Sequence, residues 1–493
     1  MDLFVIGGGI NGAAVARDAA GRGLKVMLAE RDDYASATSS ASSKLIHGGL
    51  RYLETFEFGL VRESLREREL LLRAAPHLVE PLRFLLPITS GQARPAWQVR
   101  LGLRFYDLLA GSSSLPSSGK LSAREIAELP RFRKADLGAL LTYWDCRCDD
   151  ARLVLALLLD ARQRGADIAN YREVVGVHGI ENGYRIAFRE NGAAREADAR
   201  FVVNAAGPWV NAVTGISDDA PPARPLRLVR GSHLVLPLPE PVQQDAYTLQ
   251  TADGRVVFTI PWLDGRYLVV GTTEYPETGD PIAAHCSDQE RDYLLAAYNR
   301  YFDSPDGPVG PGDVLFSWSG VRALTDDGHS DSRLVSRRAG IDYARRGTGG
   351  FVTLYGGKLT THRALAEQVL ARLARQEPSI SGTWTAGQPL YGGTLDRSQL
   401  VQAAEGGPGE IAPAIRRRWA FTYGDQIETL FDRILRDSEQ AEEVAPGVVE
   451  AELAHACEVE DAREAEDFLM RRTKLHYVLA PRDRARVERW FKR

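Results

Sequence analysis

The stretch Leu3-Phe4-Val5-Ile6-Gly7-Gly8-Gly9-Ile10-Asn11-Gly12 decides the fold. Leu3 to Ile6 reads as a buried strand, and the residues after it spell G-x-G-x-x-G at Gly7, Gly9 and Gly12. Ala13 to Ala20 reads as a helix ended by Gly21 and Gly23, and Val26 to Ala29 as a second strand closing on Glu30, 18 positions after Gly12. In such a unit the first glycine permits a tight turn, the second lets backbone approach a pyrophosphate, and the third lets helix and strand pack closely. The helix start presents free N–H groups and a partial positive charge to phosphates. Glu30 is then set to accept hydrogen bonds from a ribose hydroxyl. A purely structural glycine turn would need neither the flanking elements nor the spaced carboxylate, so the reading is a dinucleotide site.

The next segment narrows the nucleotide. Thr38 to Tyr52 reads Thr-Ser-Ser-Ala-Ser-Ser-Lys-Leu-Ile-His-Gly-Gly-Leu-Arg-Tyr, five small hydroxyl residues followed by Lys44, His47, Gly48, Gly49, Arg51 and Tyr52. The glycine pattern alone does not separate NAD from FAD. A flavin needs an extended path for its ribityl chain and ring, and this polar run directly after the second strand supplies one.

Bulk properties bound the rest. The chain has 493 residues, 44% hydrophobic and 26% charged, which predicts a globular protein of two or three domains. A net charge of −5 argues against nucleic acid as a partner. A strand directly after Met1 leaves no room for a signal peptide, and no apolar run reaches the roughly 18–20 residues of a membrane span. Cys146, Cys148, Cys286 and Cys457 have neither redox nor zinc spacing, so reduced structural cysteines in a cytoplasmic protein are expected and no metal site. Arginine is the default cation in this sequence, which draws attention to the lysines it keeps, Lys44 and Lys358 among them.

Further along, helices are expected over Glu57 to Pro76, Leu153 to Arg164 and Glu290 to Phe302. Strands are expected around Tyr171 to Val177, Tyr184 to Phe188 and Phe201 to Asn204. The last breaks into Ala205-Ala206-Gly207-Pro208-Trp209, small residues that let backbone pass close to a ligand. Ser232 to Leu236, Val256 to Trp262 and Tyr267 to Thr272 read as an antiparallel meander turning at Asp264-Gly265. Phe351 to Tyr355 leads through Gly356-Gly357-Lys358-Leu359-Thr360-Thr361 into a long helix, a second place where backbone N–H groups gather. From Pro378 the chain is helical and highly charged, without a catalytic constellation.

With these residues in view the sequence resembles the aerobic FAD-dependent glycerol-3-phosphate dehydrogenases over nearly its whole length. The resemblance is most specific at Val5 to Gly12, Thr38 to Glu54, Gly207 to Trp209 with Gly231 to His233, Ser319 to Arg322, and Gly356 to Thr361. It implies an α/β fold with an α+β cap. A glutathione-reductase-type FAD-binding Rossmann domain would be built from discontinuous segments (1–75, 146–230, 316–377). An antiparallel-sheet substrate domain (76–145, 231–315) and a helical C-terminal domain (378–493) complete it. It also implies oxidation of sn-glycerol 3-phosphate to dihydroxyacetone phosphate, with electrons passed to a membrane quinone by an enzyme held peripherally on the inner face of the cytoplasmic membrane. Neither a homodimer contact nor the membrane contact maps onto a segment. Two departures, Ala206 for the usual threonine and Ala323 for proline, remove no charged or proton-transfer group.

For the site, the resemblance implies cofactor contacts from Gly7, Gly9, Ile10, Asn11, Gly12 and Glu30, and from Thr38, Ser39, Ser42, Ser43, Lys44, Leu45, His47, Gly48 and Gly49. Ala206, Gly207, Trp209, Gly357, Lys358, Leu359 and Thr360 complete that set. Arg51, Tyr52, His233, Arg322, Arg337 and Lys358 would bind substrate, with His233, Arg322 and Lys358 catalytic. His233 is preferred to His47 as the base because it sits on the expected cap sheet facing the cofactor; an imidazole suits proton removal near neutral pH. A glycerol-3-phosphate oxidase using O2 shares every one of these motifs, and a non-catalytic flavin-binding sensor is the alternative from another class. An amino-acid or glycine oxidase would leave the cations unexplained.

Overall fold

The computed structural model describes the chain apart from residues 91–93, 239–243, 305–306, 327–337 and 381. Its first sheet has six strands in the order Gly340–Arg346, Gly349–Tyr355, Phe201–Asn204, Leu3–Ile6, Val26–Ala29, Asp167–Ala169. The inner pairings are parallel and only the Gly340–Arg346 edge is antiparallel. Leu3–Ile6 is buried throughout, as a parallel strand covered on both faces must be.

Helices Ile10–Gly21, Asp150–Gln163 and His362–Ala374 pack together on this sheet, and Arg17 is ion-paired with Asp160 between the first two. The middle helix is capped by Asp149, which accepts from the Arg152 N–H at 3.0 Å. It is buried from Asp150 to Ala161, which explains why its sequence is apolar on nearly every side. A separate three-stranded antiparallel sheet, Arg172–Ile180, Gly183–Glu190 and Ala193–Ala199, flanks it.

The second large sheet has ten strands, running from Tyr275–Pro276 through Leu226–Pro237, Tyr267–Gly271, Val256–Trp262, Ala246–Gln250, Val79–Thr89 and Leu137–Cys148 to Leu45–Ile46, with two more strands pairing at its side. The expected hairpin turns through Asp264 and Gly265, both at positive φ. Two boundaries differ from the sequence division. Leu226 to Arg230 and Phe316 to Thr325 fall in the nucleotide-binding segments of that division, yet the strands they belong to form one antiparallel ladder, Leu226↔Thr325 to Val235↔Phe316, within the second sheet. The two-residue strand Leu45–Ile46 joins the same sheet through Cys146 and Arg147, so the Thr38–Tyr52 segment bridges both sheets.

The C-terminal part is a bundle of short helices, among them Pro413–Tyr423, Ile427–Arg436 and Glu450–Glu458, with one small hairpin. A further helix, Ala96–Ala110, packs against the Phe58–Ala74 helix.

Candidate active site

One cavity of about 1230 Å³ runs between the two large sheets. That exceeds the roughly 300–1,000 Å³ of an ordinary small-molecule pocket and suits a dinucleotide with a small substrate beside it. Its nucleotide end is the glycine turn. Gly7 has φ +109°, and a Cβ there would meet the Ala205 carbonyl oxygen at 2.7 Å. A Cβ on Gly12 would overlap the Gly7 carbonyl oxygen, so Gly12 serves helix–strand packing and does not line the cavity, whereas Gly7, Gly9, Ile10 and Asn11 do. Ser39 Oγ accepts from the Ile10 N–H at 3.0 Å, which ties the hydroxyl-rich run to the start of the first helix.

Glu30 lines the cavity while accepting from the Gly8 and Asp32 N–H groups at 2.6 and 3.0 Å. Burial raises its pKa in spite of those two donors. Across the cleft Asn11 Nδ2 donates to the Gly356 carbonyl at 2.9 Å, fixing the second glycine turn against the first. Ala206, Gly207, Gly357, Leu359 and Thr360 line the wall between them, as does Trp209 beneath the Arg31 guanidinium at 4.2 Å.

The Thr38–Tyr52 segment divides residue by residue. Thr38, Ser39, Ser42, Ser43, Leu45, His47, Gly49, Arg51 and Tyr52 line the cavity; Lys44 and Gly48 do not. Lys44 is turned inward. At φ +56° its side chain runs away from the cavity, and its ammonium donates to Asp150 at 2.8 and 3.0 Å and to the Ser40 carbonyl at 2.9 Å, 5.0 Å from the centre of the Trp318 ring. Gly48 is structural as well: its N–H donates to Tyr106 Oη at 2.9 Å, and a Cβ would run into the Leu65 and Tyr106 side chains. His47 faces the cavity with its pKa lowered by burial, reinforced by Lys358 and Arg68.

His233 stands one layer back. It is buried, stacked on Trp318 with ring centres 5.3 Å apart, and does not line the cavity. Its Nε2 lies 2.8 Å from Ser43 Oγ, so the expected direct view of the cofactor is replaced by a view through the Ser43 hydroxyl. Burial, then Arg322 and Lys44, hold this imidazole well below its ordinary pKa and keep it neutral at pH 7.

Three cations the sequence singles out face the cavity. Arg51, Arg322 and Lys358 all line it. The Lys358 ammonium sits 3.8 Å from the centre of the Tyr52 ring, a cation–π contact. Gly231 explains itself here, because a Cβ would meet the Arg322 guanidinium at 2.8 Å and Thr272 Oγ1 at 2.6 Å. Arg337 lies outside the described residues. Glu274, which also lines the wall, comes within 3.9 Å of Arg51; it follows the Tyr267–Gly271 strand by three residues, and no local motif marks it in the sequence.

Residues 2–372 match the family described as FAD dependent oxidoreductase, and residues 383–491 match the C-terminal domain of alpha-glycerophosphate oxidase. The chain belongs to the FAD-dependent oxidoreductases. Among its relatives in this family are the glycerol-3-phosphate dehydrogenase of Pseudomonas aeruginosa, 40% identical over 99% of this chain and 94% of that one, and the aerobic glycerol-3-phosphate dehydrogenase of Escherichia coli, 40% identical over 99% and 97%. The D-erythritol 1-phosphate dehydrogenase of Brucella abortus is 41% identical over 99% and 97%. The solved structure of the Bacillus halodurans glycerol-3-phosphate dehydrogenase complexed with FAD aligns with TM-score 0.78 at 27% identity, over 100% of this chain and 94% of that one. FAD is the cofactor, and the residues of this FAD-dependent oxidoreductase fit it: two glycine turns that a Cβ would fill, a helix that starts directly after the first of them and a half-buried carboxylate after the second strand.

Proposed function

We propose that this flavoenzyme oxidises sn-glycerol 3-phosphate to dihydroxyacetone phosphate and passes the electrons to a membrane quinone. The observation that carries the reading is that Arg51, Arg322 and Lys358 line the same cavity as the glycine turn. Such cations suit a phosphate dianion, which forked guanidinium donors bind in two directions at once. The names of the relatives at about 40% identity agree with it. Bound FAD supplies a hydride acceptor at its N5.

The chain supplies the rest. Arg51, Arg322 and Lys358 grip the phosphate, Tyr52 steadies Lys358 through its ring, and the resemblance implies Arg337 as a further substrate ligand. The hydroxyl proton goes to His233 by way of Ser43, whose hydroxyl is within hydrogen-bond distance of Nε2. Burial, and after it Arg322 and Lys44, depress the imidazole pKa and keep that nitrogen unprotonated at neutral pH, able to accept.

Membrane contact is the finer part of the reading. The Ala96–Ala110 helix turns Trp97, Leu101, Phe105 and Leu108 to one side at i, i+4, i+8 and i+11, with Trp97 70% and Leu108 72% exposed. Phe56, 78% exposed, and Phe58 extend the patch, and Phe58 meets Phe105 edge-on at 5.2 Å. Arg100 and Arg104 flank it, and Phe56, Phe58, Leu101 and Phe105 form the cavity mouth. An apolar stripe with arginines at its border suits the interface of an anionic bilayer, and at the cavity mouth it would bring a lipid-dissolved quinone to the site. No helix among the described residues is long and apolar enough to cross a membrane. In the Arg416–Trp419 segment Arg418 donates to Glu452 at 2.5 Å and Trp419 is buried, so that segment brings no aromatic side chain to a bilayer.

A D-erythritol 1-phosphate reading is favoured by one observation, the 41% identity to that dehydrogenase. Steady-state turnover decides among these. Glycerol 3-phosphate is expected to give the higher kcat/KM, with a quinone analogue outrunning oxygen. A preference for erythritol 1-phosphate would change the substrate, and one peroxide formed per substrate oxidised at undiminished rate would make the protein an oxidase.

A further inference from the structure

Among the described residues, none that lines the cavity comes from the C-terminal part of the chain, yet that part is wired into the loop at the nucleotide end. The loop follows Glu30 and alternates its allegiance. Asp32, Ala35 and Ser36 line the cavity, while Asp33 and Tyr34 are buried on the opposite side. Ala35 has φ +59°, a left-handed conformation that an alanine does not hold by preference, so the shape of the loop must be imposed by neighbours.

The charged ones among those neighbours that meet Asp33 are C-terminal. Asp33 accepts from Arg471 Nε at 2.5 Å and from Arg472 Nη2 at 2.8 Å, and Asn170 Nδ2 donates to it at 2.9 Å. Arg472 Nη2 also donates to the Glu460 carbonyl at 2.6 Å, and Tyr34 Oη donates to Asp461 at 2.7 Å. The two guanidiniums, both buried, hold the Asp33 carboxyl below the usual carboxylate range against a burial effect that would raise it. On the cavity side the Ala35 N–H donates to the Gly8 carbonyl at 3.2 Å, and Gly8 donates to Glu30. A continuous path therefore runs from Arg472 through Asp33 and the strained loop to the glycine turn.

We propose that the Val459–Lys474 segment is a positioning element for FAD, fixing the Asp32–Ser36 loop through Arg471, Arg472 and Asp461, so that the seating of this segment and the binding of FAD are coupled. The inference rests on FAD as the cofactor and not on the identity of the substrate. By linkage each event then favours the other by the same factor, of the order of 5–150-fold for couplings of this kind.

Two measurements on the full chain test it. Hydrogen exchange of the wild-type protein is compared with and without FAD; added FAD is expected to slow exchange over residues 459–474 as well as over 30–36. FAD affinity is then measured by flavin fluorescence on apoprotein of Arg472→Met and Arg472→Lys. The methionine variant is expected to raise the FAD Kd about tenfold or more, and the lysine variant to recover part of the loss. Protection confined to 30–36, or an FAD Kd within twofold of wild type in a folded Arg472→Met protein, would overturn the proposal. If that variant does not fold, the exchange measurement alone decides.

Discussion

Lys44 and Lys358 share a residue type and little else. Both are lysines in a chain that otherwise prefers arginine, and both stand in motifs. Lys358 lines the cavity over Tyr52, whereas Lys44 neutralises Asp150 behind it. Local sequence could not separate them, because the turn at Lys44 depends on its positive φ and on a carboxylate 106 positions away. The two variants should part accordingly. Lys358→Met is expected to raise the KM for glycerol 3-phosphate roughly ten- to a hundredfold, the loss of one charge-assisted bond to phosphate, with FAD retained. Lys44→Met leaves a buried carboxylate unpaired and should cost about 3–5 kcal/mol of stability, read as a drop in the urea midpoint. His233 makes a similar point. The sequence supplied the histidine and its strand, but its position one layer behind Ser43 comes from strand pairing, His233↔Trp318, that no local motif encodes. Ser43→Ala and His233→Ala should each lower kcat about 10²-fold at nearly unchanged KM. A fall from His233→Ala alone would mean that the proton does not travel through Ser43.

At the scale of elements, the parts that were legible are those with a short-range signature: the strand–glycine–helix opening, the capped Asp150–Gln163 helix and the hairpin at Asp264-Gly265. The long ladder between Leu226–Pro237 and Phe316–Thr325 was not, because its partners are about ninety residues apart and each reads equally well as an edge of the nucleotide domain. The Ala96–Ala110 helix is hard to place for a different reason: it is apolar on both sides, burying Leu103 and Tyr106 while Trp97, Leu101, Phe105 and Leu108 face outward. In the membrane reading that second, outward stripe is what meets the bilayer. Trp97→Ser with Leu108→Ser is expected to reduce co-sedimentation with vesicles containing anionic lipid several-fold, and to leave reduction of a water-soluble dye unchanged. Undiminished vesicle binding would move the membrane contact elsewhere.

Over the whole molecule, burial of neutral histidines gives the fold a stated acid sensitivity. His362 is pushed down to about 4 and His77 to about 3, both by burial, against an ordinary value of 6.5. Each binds fewer protons folded than unfolded, so its contribution is complete above pH 6.5 and is lost as pH falls toward 4 and 3. Two such groups amount to some 3 kcal/mol or more each at neutral pH. The thermal midpoint should therefore fall steadily from pH 7 to pH 4, and His362→Gln should flatten that slope.

The central claim, that the cations lining the cavity present a polyol phosphate to FAD, is tested most directly by anaerobic mixing of the purified holoenzyme with sn-glycerol 3-phosphate while the visible absorption of the flavin is followed. The oxidised flavin is expected to bleach with formation of one dihydroxyacetone phosphate per flavin. A flavin that stays oxidised at saturating glycerol 3-phosphate, yet is bleached by dithionite, would contradict it.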